Sequence, residues 1–509
     1  MTKTNGNDLL HTRSSGVLLH PTSLPSPYGI GDLGPESRGW VDTLARMRQR
    51  FWQILPLSPT GYADSPYQCL SAFANNPLLI GPDDLVRDGL LERQDTLAMK
   101  SSVGPVDYGS VVPAKTAMLS RAWTRFQKGK AEHLRKEFEK YCRKEASWLN
   151  DFSLYMTIKE MQGLSSWQDW PADLKFREPK AIRRVARTYS VNIQEQKFRQ
   201  FLFFRQWNAL REYAFARGVH IIGDIPIFVS LDSADAWSHP EIFLLNKERR
   251  PITVAGVPPD YFSATGQLWG NPHYRWRTLR KDGYAWWMER LKACFRMVDV
   301  VRVDHFRGFE AAYHIPFGAP TAEHGKWVKG PGTNLFNSLR VQVGEIPVIA
   351  EDLGVITPAV DALRTRFNFP GMRILQFAFD DPTPENPYLP ENYEPNTVVY
   401  TGTHDNDTVL GWYGTLAPEK REIMKEYIGS DEDPIGWQLI RLAWKSVANL
   451  AIVPLQDVLG LGTEARMNIP GTTDGNWRWR FRADQLTDSH MNRLAELTNI
   501  YGRGTSSGK

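Results

Sequence analysis

The stretch Val301-Arg302-Val303-Asp304-His305-Phe306-Arg307 decides how this chain folds. It closes a β-branched run that opens at Val298, and such a run reads as a strand buried on both faces, the signature of a parallel sheet. Side chains alternate along an extended strand, so Arg302 and Asp304 share one face. Three other runs end on acids in the same way: 219–226 carries Asp224, 347–352 ends in Glu351 and Asp352, and 397–403 leads into His404 and Asp405. Any one of these acids could simply cap a following helix. Burying a carboxylate is costly, however, and four runs with the same ending, accompanied by Arg302 and His404, point to a site.

Working outward, eight such runs are found, at 17–20, 51–57, 219–226, 298–304, 347–352, 372–377, 397–403 and 450–455. Helical patterns lie between most of them, at 36–47, 201–217, 286–297, 358–367 and 434–449. Alternating strands and helices predict an α/β fold, and eight units predict a (β/α)8 TIM barrel with its chemistry at the C-terminal ends of the strands. The uneven spacing predicts large, mainly helical insertions at about 58–200 and 227–285 within a catalytic unit spanning 16–501. Residues 1–15 and 502–509 are polar and read as flexible tails. The chain stops too soon after the eighth run to add a C-terminal β-sandwich.

Composition narrows the function. Of 509 residues, 42% are apolar and 23% charged, which excludes a disordered chain or a coiled coil. A net charge of +4 gives no global field for nucleic acid or anionic lipid. Segment 121–144 holds nine Lys or Arg against three acids, and its apolar residues recur at helical spacing, so it reads as amphipathic helices with a solvated basic face. The 18 Trp, 18 Tyr and 24 Phe exceed what a core plainly needs, and flat apolar faces suit sugar rings. No run reaches the length of a membrane span, and residues 1–15 lack a secretory core. Cys69, Cys142 and Cys294 are far apart and odd in number, which fits free thiols in a reducing cytoplasm.

Other chemistries lack their motifs. Gly29-Ile30-Gly31-Asp32-Leu33-Gly34 has neither a Rossmann-type helix start nor a following Gly-Lys-Ser/Thr, and there is no Gly-x-Ser-x-Gly elbow. Asp232, Asp235 and His239 match no metal-ligand spacing. Clustered carboxylates with Arg, His and aromatics are the equipment of glycosidic-bond cleavage, in which one carboxyl serves as acid/base and another as nucleophile or base.

At these strands the sequence resembles the 4-alpha-glucanotransferase family, the amylomaltases or disproportionating enzymes, relatives of the alpha-amylases. The resemblance rests on Gly16-Val17-Leu18-Leu19-His20-Pro21-Thr22-Ser23-Leu24-Pro25 and on Pro56-Leu57-Ser58-Pro59-Thr60-Gly61-Tyr62-Ala63-Asp64-Ser65-Pro66-Tyr67-Gln68. It extends to Gly223-Asp224-Ile225-Pro226, Gly256-Val257-Pro258-Pro259-Asp260-Tyr261-Phe262, Gln267-Leu268-Trp269-Gly270-Asn271-Pro272 and the strand ends above. It implies Asp304 as nucleophile, Glu351 as acid/base and Asp405 as the third acid that steadies the transition state. It further implies that Asp224 and His404 bind the donor sugar, with Tyr62 stacking on it; Arg302, grouped with the substrate-binding residues, shares the strand face of Asp304 and is expected to keep that carboxylate ionised. Tyr261, Phe262, Gln267 and Trp269 would belong to a lid over the acceptor side, and Asn468 matches a family motif. Asp352, on the opposite strand face, is expected to be structural. The expected activity is transfer of α-1,4-glucan segments between malto-oligosaccharides, or to maltose, glucose, starch or glycogen chains, by retaining double displacement without metal or cofactor. A retaining α-glucan hydrolase and an inactive glucan-binding relative share these features and stay open at this point.

Overall fold

The computed structural model describes residues 6–97, 99, 104–259, 263–380, 383–429 and 433–504. Its main sheet holds eight strands: β1 (Ser14–Leu18), β2 (Phe51–Gln53), β3 (His220–Pro226), β4 (Val300–Asp304), β5 (Val348–Ala350), β6 (Gly371–Ile374), β7 (Thr397–Tyr400) and β8 (Leu450–Pro454). Paired strands are parallel and neighbours follow chain order, with β8 returning to β1. The ring closes between β5 and β6, where the Ala350 N–H donates to the Pro370 carbonyl at 3.0 Å. Each strand overlaps one of the eight apolar runs, β1 only at Val17 and Leu18, and helices such as Pro35–Arg46, Ser190–Phe215, Ala285–Met297 and Ile435–Lys445 follow in the expected intervals. This is the (β/α)8 barrel.

Alternation along the strands separates two cores. Leu18, Phe51, Ile222, Val300, Ile349, Met372, Val398 and Ile452 form one buried cluster inside the barrel. Val17, Trp52, Ile221, Val301, Val348, Val399 and Ala451 belong to the cluster under the helices. The lower barrel is tight: a Cβ on Gly16 would sit 2.5 Å from the Phe51 carbonyl and 2.9 Å from Ile452 Cδ1. Interior apolar layers leave only the upper ends of the strands for polar groups, which is where the acids stand.

Three boundaries differ from the sequence reading. A helix at Gly6–His11 precedes β1, and its Leu9 and Leu10 join the barrel-interior cluster, so packed structure replaces much of the tail expected at 1–15. At the other end Arg503, expected in the tail 502–509, is fully buried. Its guanidinium donates to the carbonyls of Trp444 (2.8 Å), Ser446 (3.0 Å) and Ser14 (3.0 Å), satisfying the C-terminal end of helix Ile435–Lys445 with no acid partner among the described residues. Arg503→Ala should therefore cost on the order of 3 kcal/mol in urea unfolding, because several buried carbonyls lose their donor at once. A loss of less than about 1 kcal/mol would mean that other donors replace it.

The third difference lies in the insertions. The first is helical as expected, with Tyr108–Gln127, Arg135–Lys144, Ala146–Met161 and Pro179–Thr188. Within it Trp123, Phe126 and Phe138 are buried while Arg121 and Arg125 pair with Asp95 and Glu92, as the amphipathic reading requires. The second insertion instead supplies two strands, Thr253–Val257 and Gln267–Pro272, to a four-stranded antiparallel sheet completed after β4 by Ala311–Pro316 and Lys326–Lys329. After β8 the described chain forms the short helix Leu455–Val458, several turns and the helix Asp488–Ile500, with no further sheet. No helix among the described residues is long and apolar enough to cross a membrane.

Candidate active site

Strand register assembles the centre. Asp224 on β3 pairs with Arg302 on β4, and Val303 pairs with Ala350 on β5, so Asp304 and Glu351 stand side by side at the upper ends of adjacent strands. Arg302 is almost wholly buried and bridges two acids, reaching Asp224 Oδ2 at 2.5 Å and Asp304 Oδ1 at 3.1 Å. Asp304 keeps 29% of its side chain exposed to the cleft. His305 ends the strand in the left-handed region, φ 53°, which turns its N–H onto Glu351 Oε2 at 2.6 Å. The Leu353 N–H reaches Glu351 Oε1 at 2.8 Å. Two backbone donors thus fix the Glu351 carboxyl, while no ion pair holds it among the described residues.

The β7 loop brings His404 and Asp405. His404 Nε2 lies 3.3 Å from Asp405 Oδ2, and Asn468 Nδ2 donates to Asp405 Oδ1 at 2.6 Å. Arg466 donates to the Asp405 carbonyl at 2.6 Å and to the Asn468 carbonyl at 2.8 Å, tying the two segments together. Beside them a small cavity opens, with His20, Ser23, His404, Gln456 and Arg466 in its walls.

Tyr67 is the residue that the sequence reading missed. Its hydroxyl donates to Asp224 Oδ2 at 2.8 Å, and its ring stacks on His404 with centroids 5.2 Å apart and planes 13° from parallel. Tyr62, expected to stack on sugar, lies five positions earlier in the same motif, and its side chain falls outside the described set. Nothing in the local pattern ranks one tyrosine over the other. The fold turns Tyr67 inward over β3.

On the opposite wall Trp269 stands edge-on to His305 at 4.9 Å, with its indole N–H on Gln267 Oε1 at 3.1 Å. Gln68 donates to the Trp269 carbonyl at 3.2 Å, joining the β2 loop to the antiparallel sheet. Tyr261 and Phe262 lie outside the described residues. Asp352 faces away from the barrel interior, accepting the Met372 N–H at 2.7 Å and pairing with Arg364 at 3.3 Å. Asp232, Asp235 and His239 serve local structure, each with its own partner: Lys159 at 2.6 Å, the Ala72 N–H at 2.7 Å and Glu241 at 3.3 Å. No group of three or more His, Cys, Asp or Glu among the described residues is arranged to hold a metal ion.

Electrostatics follow from crowding acids beside a single cation. Burial pushes Asp304 well above the usual carboxylate range; Arg302 opposes this, while Asp224, Glu351 and Asp405 add to it. Glu351 is also raised, chiefly by burial, against Arg302 and its two backbone donors. Burial alone would lower Arg302, but Asp224 and Asp304 outweigh it and hold the guanidinium firmly charged. Burial lowers His404 despite Asp405, which keeps the imidazole neutral. Such an arrangement makes Asp304 and Glu351 hold their protons to higher pH than free carboxyls, and neighbours this close titrate together.

Comparison with known proteins agrees with this geometry. A family model described as 4-alpha-glucanotransferase matches residues 19–487. The chain is 50% identical over 499 residues to the 4-alpha-glucanotransferase of Thermus thermophilus, covering 96% of this chain and 99% of that one. It is 48% identical over 500 residues to the Synechocystis sp. 4-alpha-glucanotransferase, covering 97% and 99%. The solved structure of amylomaltase from Streptococcus agalactiae in complex with acarbose matches with a TM-score of 0.94 at 38% identity, over 97% of this chain and 100% of that one. With site, fold and sequence in agreement over nearly the whole length, the chain belongs to the 4-alpha-glucanotransferase family.

Proposed function

We propose that the protein transfers α-1,4-glucan segments between malto-oligosaccharides through a covalent glycosyl-enzyme on Asp304. The observation that carries this is the division of labour at the ends of β4 and β5: Asp304 has the guanidinium, and Glu351 has only backbone donors. Both carboxyls are raised by burial and titrate together; the direct ion pair with Arg302 favours leaving the negative charge on Asp304, the nucleophile, and the proton on Glu351, the acid. Neighbouring strands about 4.8 Å apart suit the close spacing of a retaining pair, about 5 to 5.5 Å between carboxyls.

In the first displacement Asp304 attacks the anomeric carbon while the glycosidic bond breaks, and Glu351 gives its proton to the departing glucan oxygen. In the second, Glu351 takes the proton from an acceptor sugar hydroxyl, whose oxygen bonds to the anomeric carbon as the ester to Asp304 breaks. Tyr67 offers a flat face to the donor ring, and His404 and Asp405 reach its hydroxyls. Trp269 walls the acceptor side. A donor pocket already lined with rings and fixed dipoles favours the charged, flattened transition state over the ground state. Transfer exceeds hydrolysis when an acceptor hydroxyl occupies the place that water would take. The free Cys69, Cys142 and Cys294 support a reducing cytoplasm as its place of work.

Incubation with maltotriose alone tests the reading. Glucose should appear together with a ladder of oligosaccharides longer than the substrate, with little net gain in reducing ends. A steady rise in reducing ends and no longer product would establish a hydrolase instead.

A further inference from the structure

Asp457 is a buried carboxylate that the reaction above does not use. It lies at the start of the short helix Leu455–Val458 after β8 and is only 2% exposed. Its Oδ2 accepts the Thr401 hydroxyl at 2.6 Å, and its Oδ1 accepts the Val409 N–H at 2.8 Å. Those two donors are the roots of one loop: Thr401 leaves the end of β7, and Val409 opens the helix Val409–Thr415. The loop's tip is His404 and Asp405. Its far shoulder is tied separately, by Gln376 to the Asp407 carbonyl at 2.8 Å and by the Thr463 hydroxyl to Asp407 Oδ2 at 2.8 Å.

From this geometry we infer that Asp457 is a positioning residue that pins both ends of the 401–409 loop and so sets where His404 and Asp405 meet the donor ring. The inference deepens the transglycosylase reading and rests on it. No cationic side chain pairs with Asp457 among the described residues, so its ionised form is costly to bury. Burial pushes its pKa up to about 6, against the Thr401 and Val409 hydrogen bonds, and Asp407 on the same loop adds to the rise. His20, His404 and Arg466 are the other titratable or charged groups that line the cavity beside it. An acid with a folded pKa above its unfolded value of 3.8 loses stability as pH rises from about 4 through 6. The fold therefore tolerates a destabilising group where it braces the site, whereas a group kept for stability alone would do the reverse.

Two variants separate these roles. Asp457→Ala removes both bonds, and displacement of the loop tip should lower kcat on maltotriose about 10- to 100-fold with KM changed less than about threefold. Asp457→Asn can still accept the Val409 N–H and donate to the Thr401 hydroxyl oxygen, so it should recover most of that loss. The Asn variant should also melt at a higher temperature than the parent at pH 7, the difference shrinking toward pH 4. If Asp457→Ala does not fold, Thr401→Val decides, since it removes a single bond: a roughly threefold or larger fall in kcat at unchanged melting temperature supports the role. An Ala variant with kcat within about twofold of the parent, an Asn variant as impaired as Ala, or a folded Thr401→Val variant with parental kcat would each overturn it. Failure of the parent enzyme to transfer at all would instead refute the functional reading, so the two failures are distinguishable.

Discussion

Asp304→Asn is expected to lower kcat on maltotriose by at least about 10⁴-fold while maltotriose still binds, because removing a nucleophile abolishes the covalent path and leaves the binding contacts in place. Asparagine is the same size, so Arg302 keeps Asp224 and loses only the contact at 3.1 Å. Single-turnover assays would show no glycosyl adduct, and calorimetric binding should change by less than about tenfold, since ground-state contacts are mostly elsewhere. The complementary change, Glu351→Gln, removes the proton donor but not the nucleophile. With a donor bearing a fluoride leaving group, which needs little protonation, this variant should accumulate an ester on Asp304, seen as a mass increase of one glycosyl unit on the peptide that contains it. Residual Asp304→Asn activity above about 1%, or an adduct mapped to another acid, would remove Asp304 from the nucleophile's role.

How much of this was legible in the sequence depended on distance along the chain. Arg302 and Asp304 were readable as a pair because alternation puts residues two apart on one strand face, whatever the rest of the fold does. The barrel was readable because each strand is a short apolar run with a polar end. Asp352 could be set aside for the same reason: one residue past Glu351, it had to face the other way, and it does. The antiparallel sheet was not readable, since Thr253–Val257 finds Ala311–Pro316 only across the whole of β4. Asp457 shows no signal at all, because its partners Thr401 and Val409 are 56 and 48 positions away and it resembles an ordinary helix-start acid. Arg503 looked like part of a polar tail because burial of an arginine by backbone carbonyls leaves no charge pattern to recognise. Tyr67 gave no signal of its own inside its motif, because its partner Asp224 is 157 positions away.

The second large effect concerns the cation at the centre. Arg302→Met keeps an unbranched flexible stem and removes the guanidinium with its charge, leaving Asp224, whose side chain is fully buried, with the Tyr67 hydroxyl as its one side-chain partner among the described residues. Breaking a buried ion pair from one side typically costs about 3 to 5 kcal/mol, and that loss is expected in urea unfolding at pH 7. Its pH dependence is the sharper test. Asp304 already sits well above its ordinary value of 3.8, with Arg302 the foremost group opposing the rise, so the variant moves it further up. A raised folded pKa means that the unfolded chain releases its proton first as pH increases, and stability falls across that window. The penalty should thus be smaller near pH 4, where the folded Asp304 carboxyl keeps its proton with or without Arg302, and should grow toward pH 7. Activity should fall in parallel, because a protonated Asp304 cannot attack, and the acid limb of the kcat profile should move to higher pH. Arg302→Lys should lie between, since a point charge can approach Asp224 or Asp304 but cannot span both as the planar fork does. A penalty that is equal at pH 4 and pH 7 would show that Arg302 acts through packing alone, and the nucleophile's ionisation would then need another source.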